Sequence, residues 1–266
     1  AQSLMSIFTG QPFIDVRLSF NSFLPQGLPN DICETLIDHW ISELIKKPEK
    51  HDKVEFDIAV TAFTFDIDTR LEELIGQALS TDEKVIFKKY LRALTKNLID
   101  GLGEGSIENA LKKIQILKSH NDLRDIKNLT LEDLNKFVSE IIEYGTLPFA
   151  ILARHAFIAS TMLASLRREN LGTATEIQNF QSSIITVASE LVADMSKVSE
   201  GSLKNADFFE IYGHLRPGTY DILSLRYDQL ENFFTEKKKL SVVHVDREPI
   251  RAFSVGSLKK IDLALE

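Results

Sequence analysis

The densest concentration of chemically capable residues is Tyr212-Gly-His-Leu-Arg-Pro-Gly-Thr-Tyr-Asp-Ile222. His214 supplies an imidazole, the side-chain type whose charge changes nearest neutral pH, and Arg216 a planar fork of donors suited to a carboxylate or phosphate. Tyr212, Tyr220 and Asp221 add donors and acceptors, and Arg226-Tyr227-Asp228 follows closely. Gly213 and Gly218 permit positive φ and close approach, while Pro217 fixes its own φ and drives Arg216 out of the helical region. The stretch therefore reads as an ordered, non-helical loop able to bind an anion or a hydroxylated ligand. An architectural reading uses the same residues: Arg216 or Arg226 pairs with Asp221, and the tyrosines plug a corner between helices.

Two arginines elsewhere are candidates for the same work. Arg17 lies in Pro12–Asn21, where Ile14, Val16, Leu18 and Phe20 alternate with Asp15, Arg17, Ser19 and Asn21. Strict alternation predicts a half-buried strand with Asp15 and Arg17 adjacent on its polar face, either paired and solvated or lining a pocket. A second alternating run from Val54 to Val60, continuing through Phe63 and Phe65, is the expected pairing partner. Arg154, with His155, interrupts the apolar stretch Leu147–Leu166. A charge there must be paired, for instance with Glu190 or Asp194, or project into a ligand cavity.

The rest reads as helix. Ile32, Leu36, Ile37, Trp40, Ile41, Leu44 and Ile45 mark one face of a helix that stops at Pro48. Further helices are expected over about 69–79, 82–100 and 106–118. Another begins at Thr130, with Asp133 at capping-box spacing and Leu134, Phe137, Val138, Ile141 and Ile142 facing inward. Two long helices, 146–169 and 173–199, turn about Asn170-Leu-Gly172 into an expected antiparallel hairpin with Phe157 and Ile184 in the core. The fold class is mainly α (α+β): a multi-helix domain with a small two-stranded sheet near the N-terminus. Residues 1–230 are expected to form one domain and 231–266 a C-terminal extension or the start of a linker.

Composition narrows the function. The 266 residues are 44% hydrophobic and 26% charged, as in an ordinary globular protein able to bury a sizeable core. A net charge of -8 and a pI near 5.4 weigh against nucleic-acid and anionic-membrane partners, the short Lys237-Lys238-Lys239 run being a solvated face. Cys33 sits in a helical pattern, cannot form an internal disulfide, and fits a reducing, cytoplasmic setting. Arg154 and His155 argue against Leu147–Leu166 spanning a membrane. No signal peptide opens the chain, and its start at Ala-Gln-Ser-Leu-Met suggests a piece of something longer. Metal-ligand spacing, a Gly-x-Ser-x-Gly elbow and His-Glu-x-x-His are missing from the sequence. Gly101-Leu-Gly-Glu-Gly105 neither follows a strand nor ends in Gly-Lys-Ser/Thr, so it stops a helix rather than cradling phosphate.

Three segments taken together carry a resemblance. Gly10-Gln-Pro-Phe-Ile-Asp-Val-Arg-Leu-Ser-Phe-Asn-Ser-Phe-Leu-Pro25, Tyr144-Gly-Thr-Leu-Pro-Phe-Ala-Ile-Leu-Ala-Arg-His-Ala-Phe-Ile-Ala159 and the Tyr212–Ile222 loop resemble the segment between the catalytic domains of phosphoenolpyruvate synthase-like (pyruvate phosphate dikinase-like) phosphotransferases. The likeness covers about residues 8 to 230, is most specific in Gly-His-x-x-Pro-Gly-x-Tyr-Asp, and lies nearer to bacterial members of unassigned substrate than to rifampin phosphotransferases. It implies a parent with an ATP-grasp domain, a swinging phosphohistidine domain and this middle part. ATP and Mg are then cofactors of the parent, with none in this chain, and the partners are the two catalytic domains and a small-molecule acceptor. The sequence lacks a Thr-x-His phosphohistidine motif and an ATP-grasp glycine loop, so no catalytic residue carries over. Leu225 also stands where a proline often precedes Arg226. Two expectations follow from the resemblance. In one the chain binds the acceptor, with His214, Arg216, Tyr220 and Arg17 facing it or the incoming phosphoryl group. In the other it is a structural or interaction domain that spaces the catalytic parts, and the loop is a locked corner.

Overall fold

A β-hairpin begins the described chain, earlier than the alternating pattern implies. Strand β1 (Met5–Phe8) pairs antiparallel with β2 (Gln11–Ile14), Met5 opposite Ile14 and Phe8 opposite Gln11. Thr9 and Gly10 both take positive φ, as a tight two-residue hairpin turn of this kind requires. The strand expected to run on through Phe20 stops at Ile14, because the Asp15 carboxylate accepts the Leu18 backbone N–H at 3.0 Å and caps a short helix, α1 (Val16–Asn21).

Its expected partner is not a strand either. Val54–Asp57 forms a one-turn helix, α3, and Ile58, Ala59 and Val60 then run through the core in irregular conformation. This segment is buried on every side, so it has no polar face to present and no ladder to join. Side chains of surrounding helices take up its backbone groups instead. Thr95 Oγ1 accepts the Phe63 N–H at 2.9 Å, Ser165 Oγ accepts the Phe65 N–H at 3.4 Å, and Arg154 Nη2 donates to the Thr61 carbonyl at 2.8 Å. The sheet is thus a local hairpin within residues 5–14, not a pairing of 13–20 with 54–65.

The computed structural model describes residues 4–101, 105–122, 130–216, 223–230, 233–236 and 253–265. Residues 102–104 of the glycine run, Tyr220 and Asp221 of the loop, and most of 231–266 lie outside these. The described chain is mainly helical and divides into two compact units, residues 1–171 and 172–266.

In the first unit, α2 (Asn30–Lys46) buries Ile32, Leu36, Ile37 and Trp40, the face its periodicity predicts, although Ile45 stays exposed. Helices α4 (Ile67–Leu74) and α5 (Thr81–Ile99) close on the same core through Ile67, Leu71, Phe87 and Leu91. Ser80 and Glu83 form a capping box that starts α5. Helix α6 (Ile107–Asp122) is followed by α7 (Leu131–Ile141), opened by the expected Thr130–Asp133 box. A π turn over Ile142–Thr146 joins α7 to α8 (Leu147–Arg168), just ahead of Pro148, which has no N–H to donate to the preceding turn. The face of α7 expected inside is instead open: Leu134, Val138, Ile141 and Ile142 are all exposed. Periodicity located the apolar stripe but carries no information on whether another element covers it. By length and composition the stretch Leu131–Arg168 is apolar enough to cross a membrane. Arg154 and His155 in its middle are bonded to the Thr61 and Gly105 carbonyls.

In the second unit, the long helix expected over 173–199 is two helices, α9 (Ala174–Ser183) and α10 (Val187–Ser199). The break falls in the β-branched run Ile184-Ile185-Thr186-Val187, where Thr186 and Ser189 form a fresh capping box. Ile184 is consequently 50% exposed and no part of the core, while Phe157 of α8 is half-buried against Phe56, ring centroids 5.3 Å apart. The two arms of the expected hairpin belong to different units. Helices α11 (Asn205–Tyr212), α12 (Phe233–Glu236) and α13 (Val255–Leu265) complete the second unit. The start of α13 is held to the start of α9: the Ser254 N–H donates to Glu176 at 2.7 Å, and Ser257 Oγ donates to it at 3.0 Å. Backbone hydrogen bonds from Thr173 and Ser254 lower the Glu176 pKa to about 2.

Candidate functional site

The loop singled out by its chemistry begins where α11 ends, and α11 is fixed by an aromatic cluster. Phe208 is fully buried, with Tyr212 at 4.9 Å, Phe234 at 5.0 Å and Phe209 at 5.7 Å between ring centroids. Tyr212 is itself buried, and its hydroxyl donates to Asp194 Oδ2 at 3.0 Å. Burial, reinforced by that carboxylate, pushes the phenol up to about 12. It is therefore a neutral core anchor, not a group offered to a ligand.

Gly213 follows at a point where the chain has no room for a side chain. A β-carbon there would lie 2.3 Å from the Phe209 carbonyl oxygen and 3.0 Å from Asp228 Cβ. That close approach lets two ends of the loop pair through their backbones. The Tyr227 N–H donates to the Leu215 carbonyl at 2.8 Å, and the Asp228 N–H donates to the Gly213 carbonyl at 3.2 Å. Arg216 Nε donates to the Ser224 carbonyl at 2.9 Å, a third tie across the base of the loop. Arg226 grips Asp228 with Nε, at 3.0 Å, and Nη2. The acid expected to pair with an arginine was Asp221, outside the described residues; the pair found uses Asp228.

What remains available is small and specific. His214 is exposed and makes no hydrogen bond among the described residues, and Arg216, half-buried, leaves both Nη groups without a described partner. Arg226 is occupied by Asp228.

Both distant arginines are bonded within the fold. Arg17 pairs with Asp38 of α2 in an ion pair more than half exposed on both sides, of a kind contributing about 0–1 kcal/mol. Its expected neighbour Asp15 is committed to capping α1. Arg154 is half-buried, with Nη2 on the Thr61 carbonyl and its guanidinium 5.6 Å from the Phe23 ring centroid. Desolvation lowers its pKa, with Glu55 opposing the shift. Its partner is a backbone carbonyl rather than Glu190 or Asp194, so it pins the irregular core segment.

Two clusters were missed by sequence reasoning. In the first, the Asp66 carboxylate, 2% exposed, accepts from Thr64 Oγ1 at 2.7 Å and Arg168 Nη1 at 2.9 Å. Arg70 beside it is buried and, among the described residues, has only a long 3.4 Å hydrogen bond to the Phe56 carbonyl and no partner at Nε. Burial lowers its pKa and Asp66 resists. The i, i+4 spacing of Asp66 and Arg70 was a usable signal. The second is a run of cations along α5, whose four-residue spacing was equally legible.

Among the described residues, no group of three or more His, Cys, Asp or Glu side chains is placed to hold a metal ion. The clefts lined by His39, Glu43 and Glu73, and by Phe63, Lys89 and Arg92, both lie in the first unit. The chain matches no family model, no curated protein and no solved structure.

Proposed function

We propose that this chain is a connecting domain of a phosphoenolpyruvate synthase-like, ATP-dependent phosphotransferase, spacing an ATP-grasp domain from a phosphohistidine domain and not catalytic alone. The supporting observation is that the loop carrying the most specific part of the resemblance is tied down at its base. Tyr212 sits in the core, Gly213 is jammed against Asp228, and Arg216 spends its Nε on the Ser224 carbonyl. A loop held this way transmits position, which is what a spacer between catalytic parts must do. ATP and Mg then belong to the parent, as does a cytoplasmic setting. Acceptor binding is the second reading, favoured by one observation: the Nη groups of Arg216, without a partner among the described residues, and the exposed His214 lie two residues apart.

The test is biochemical. Incubated with ATP and Mg, the purified chain is expected to release no phosphate and to carry no label from γ-labelled ATP. The natural reading frame around it should encode both missing domains. ATP-dependent labelling of the chain itself, or a frame with neither domain, overturns the proposal.

A further inference from the structure

Helix α5 carries cations that the loop and the resemblance leave unexplained. Lys84, Lys88, Arg92 and Lys96 recur every fourth residue, with Lys89 one place aside, so they share one face over about three turns. In a chain of net charge -8 this is a local reversal of sign. Three of the five have carboxylate partners: Lys84 with Glu72 at 2.6 Å, Lys88 with Asp68 at 2.7 Å, and Lys96 with Asp100 at 2.5 Å. Lys89 and Arg92 have none among the described residues. Both are exposed, and their i, i+3 spacing brings them close enough to converge on one anion.

A solvated helix face would need nothing more, but here four of the cations, Lys88, Lys89, Arg92 and Lys96, line a cleft of about 520 Å³. Its apolar lining is Phe63, Val85 and Ala93. Phe63 comes from the irregular core segment and is tied to α5 itself, its N–H donating to Thr95 Oγ1. The Arg92 guanidinium lies 5.6 Å from the Phe63 ring centroid, which orients the fork while leaving its donors unspent. The volume falls within the roughly 300–1,000 Å³ usual for small-molecule sites, and an apolar lining with a few convergent charges is their usual make-up.

We propose that this cleft binds a small phosphomonoester with a flat apolar body, the phosphate on Arg92 and Lys89 and the body on Phe63 and Val85. Arg92 supplies two parallel hydrogen bonds to the phosphate and Lys89 a point charge. The site lies wholly within the first unit and stands whether or not the 212–228 loop is a corner.

The probe is 1-naphthyl phosphate, with inorganic phosphate and 1-naphthol as its two halves, titrated against the whole chain by fluorescence and calorimetry. Naphthyl phosphate is expected to bind at least about ten-fold more tightly than either half. Lys89→Ala should weaken it about ten-fold, the scale of one charge-assisted hydrogen bond, and Arg92→Ala, which removes two, by more than about ten-fold, neither altering the melting temperature. Lys112→Ala on α6, an exposed lysine outside the cleft, should leave it unchanged. Equal affinity for naphthyl phosphate and inorganic phosphate, or unchanged binding in the Arg92→Ala/Lys89→Ala double variant, overturns the proposal. Tighter binding of a Glu-rich peptide, lost in the same double variant, overturns it too, because the cleft is then a polypeptide dock.

Discussion

Asp66→Ala is expected to destabilise the first unit by about 3–5 kcal/mol, the range seen when one partner is removed from a buried charge cluster. Asp66 is the carboxylate facing buried Arg70, which among the described residues has no hydrogen-bond partner at Nε and one long bond, to Phe56. Removing it also strips the partners from the buried Thr64 hydroxyl and from Arg168 Nη1. The guanidinium of Arg70 then keeps only the long Phe56 bond and the weaker pull of Glu73 and Asp57 to offset its desolvation. Trp40 is the only tryptophan and is fully buried in the same core, so its fluorescence during urea unfolding reports on this unit. A loss below about 1 kcal/mol, the range of an exposed pair, would mean that water reaches the cluster.

Phe208→Ala should cost the second unit about 3–5 kcal/mol, whereas Ile184→Ala should stay within about 0.5 kcal/mol of the parent. Phe208 is the shared neighbour of Phe209, Tyr212, Phe233 and Phe234, so its removal leaves a cavity that those rings cannot all close. Ile184 lies in the exposed break between α9 and α10. Amide exchange in α11 measures the first effect. Comparable losses for the two variants would show that residues 184–186 are packed rather than exposed.

The contrast between these two residues shows what the sequence could convey. The capping box at Thr130–Asp133 was legible because every atom involved lies within four residues. The Thr186–Ser189 box is just as local, but the apolar stripe running past it suggested one continuous helix. Alternation from Ile14 to Phe20 misled because a short helix burying one side chain, Phe20, leaves the same letters in the chain as a strand. The run from Val54 misled because Glu55 and Asp57 alternate with apolar residues on a one-turn helix, while Ile58 to Val60 beyond it are wholly buried. Arg154 was recognised as needing a partner, but that partner is a carbonyl 93 residues away, and a backbone group leaves no mark in residue identity. The loop gave up its glycines and arginines readily. That Gly213 answers to Asp228, and Arg216 to Ser224, depends on a chain reversal that no spacing rule records.

Whether the 212–228 loop is a corner is decided by substitutions in the proposed parent phosphotransferase. His214→Ala should leave both melting temperature and turnover unchanged. Arg216→Ala should lower stability by about 1–3 kcal/mol through the lost Ser224 bond, with turnover falling only as the folded fraction falls. Arg216→Lys, whose amine can still reach that carbonyl, should recover most of both. Turnover reduced about 100-fold in Arg216→Lys and His214→Ala, at unchanged melting temperature, would contradict the corner and make the loop the acceptor site.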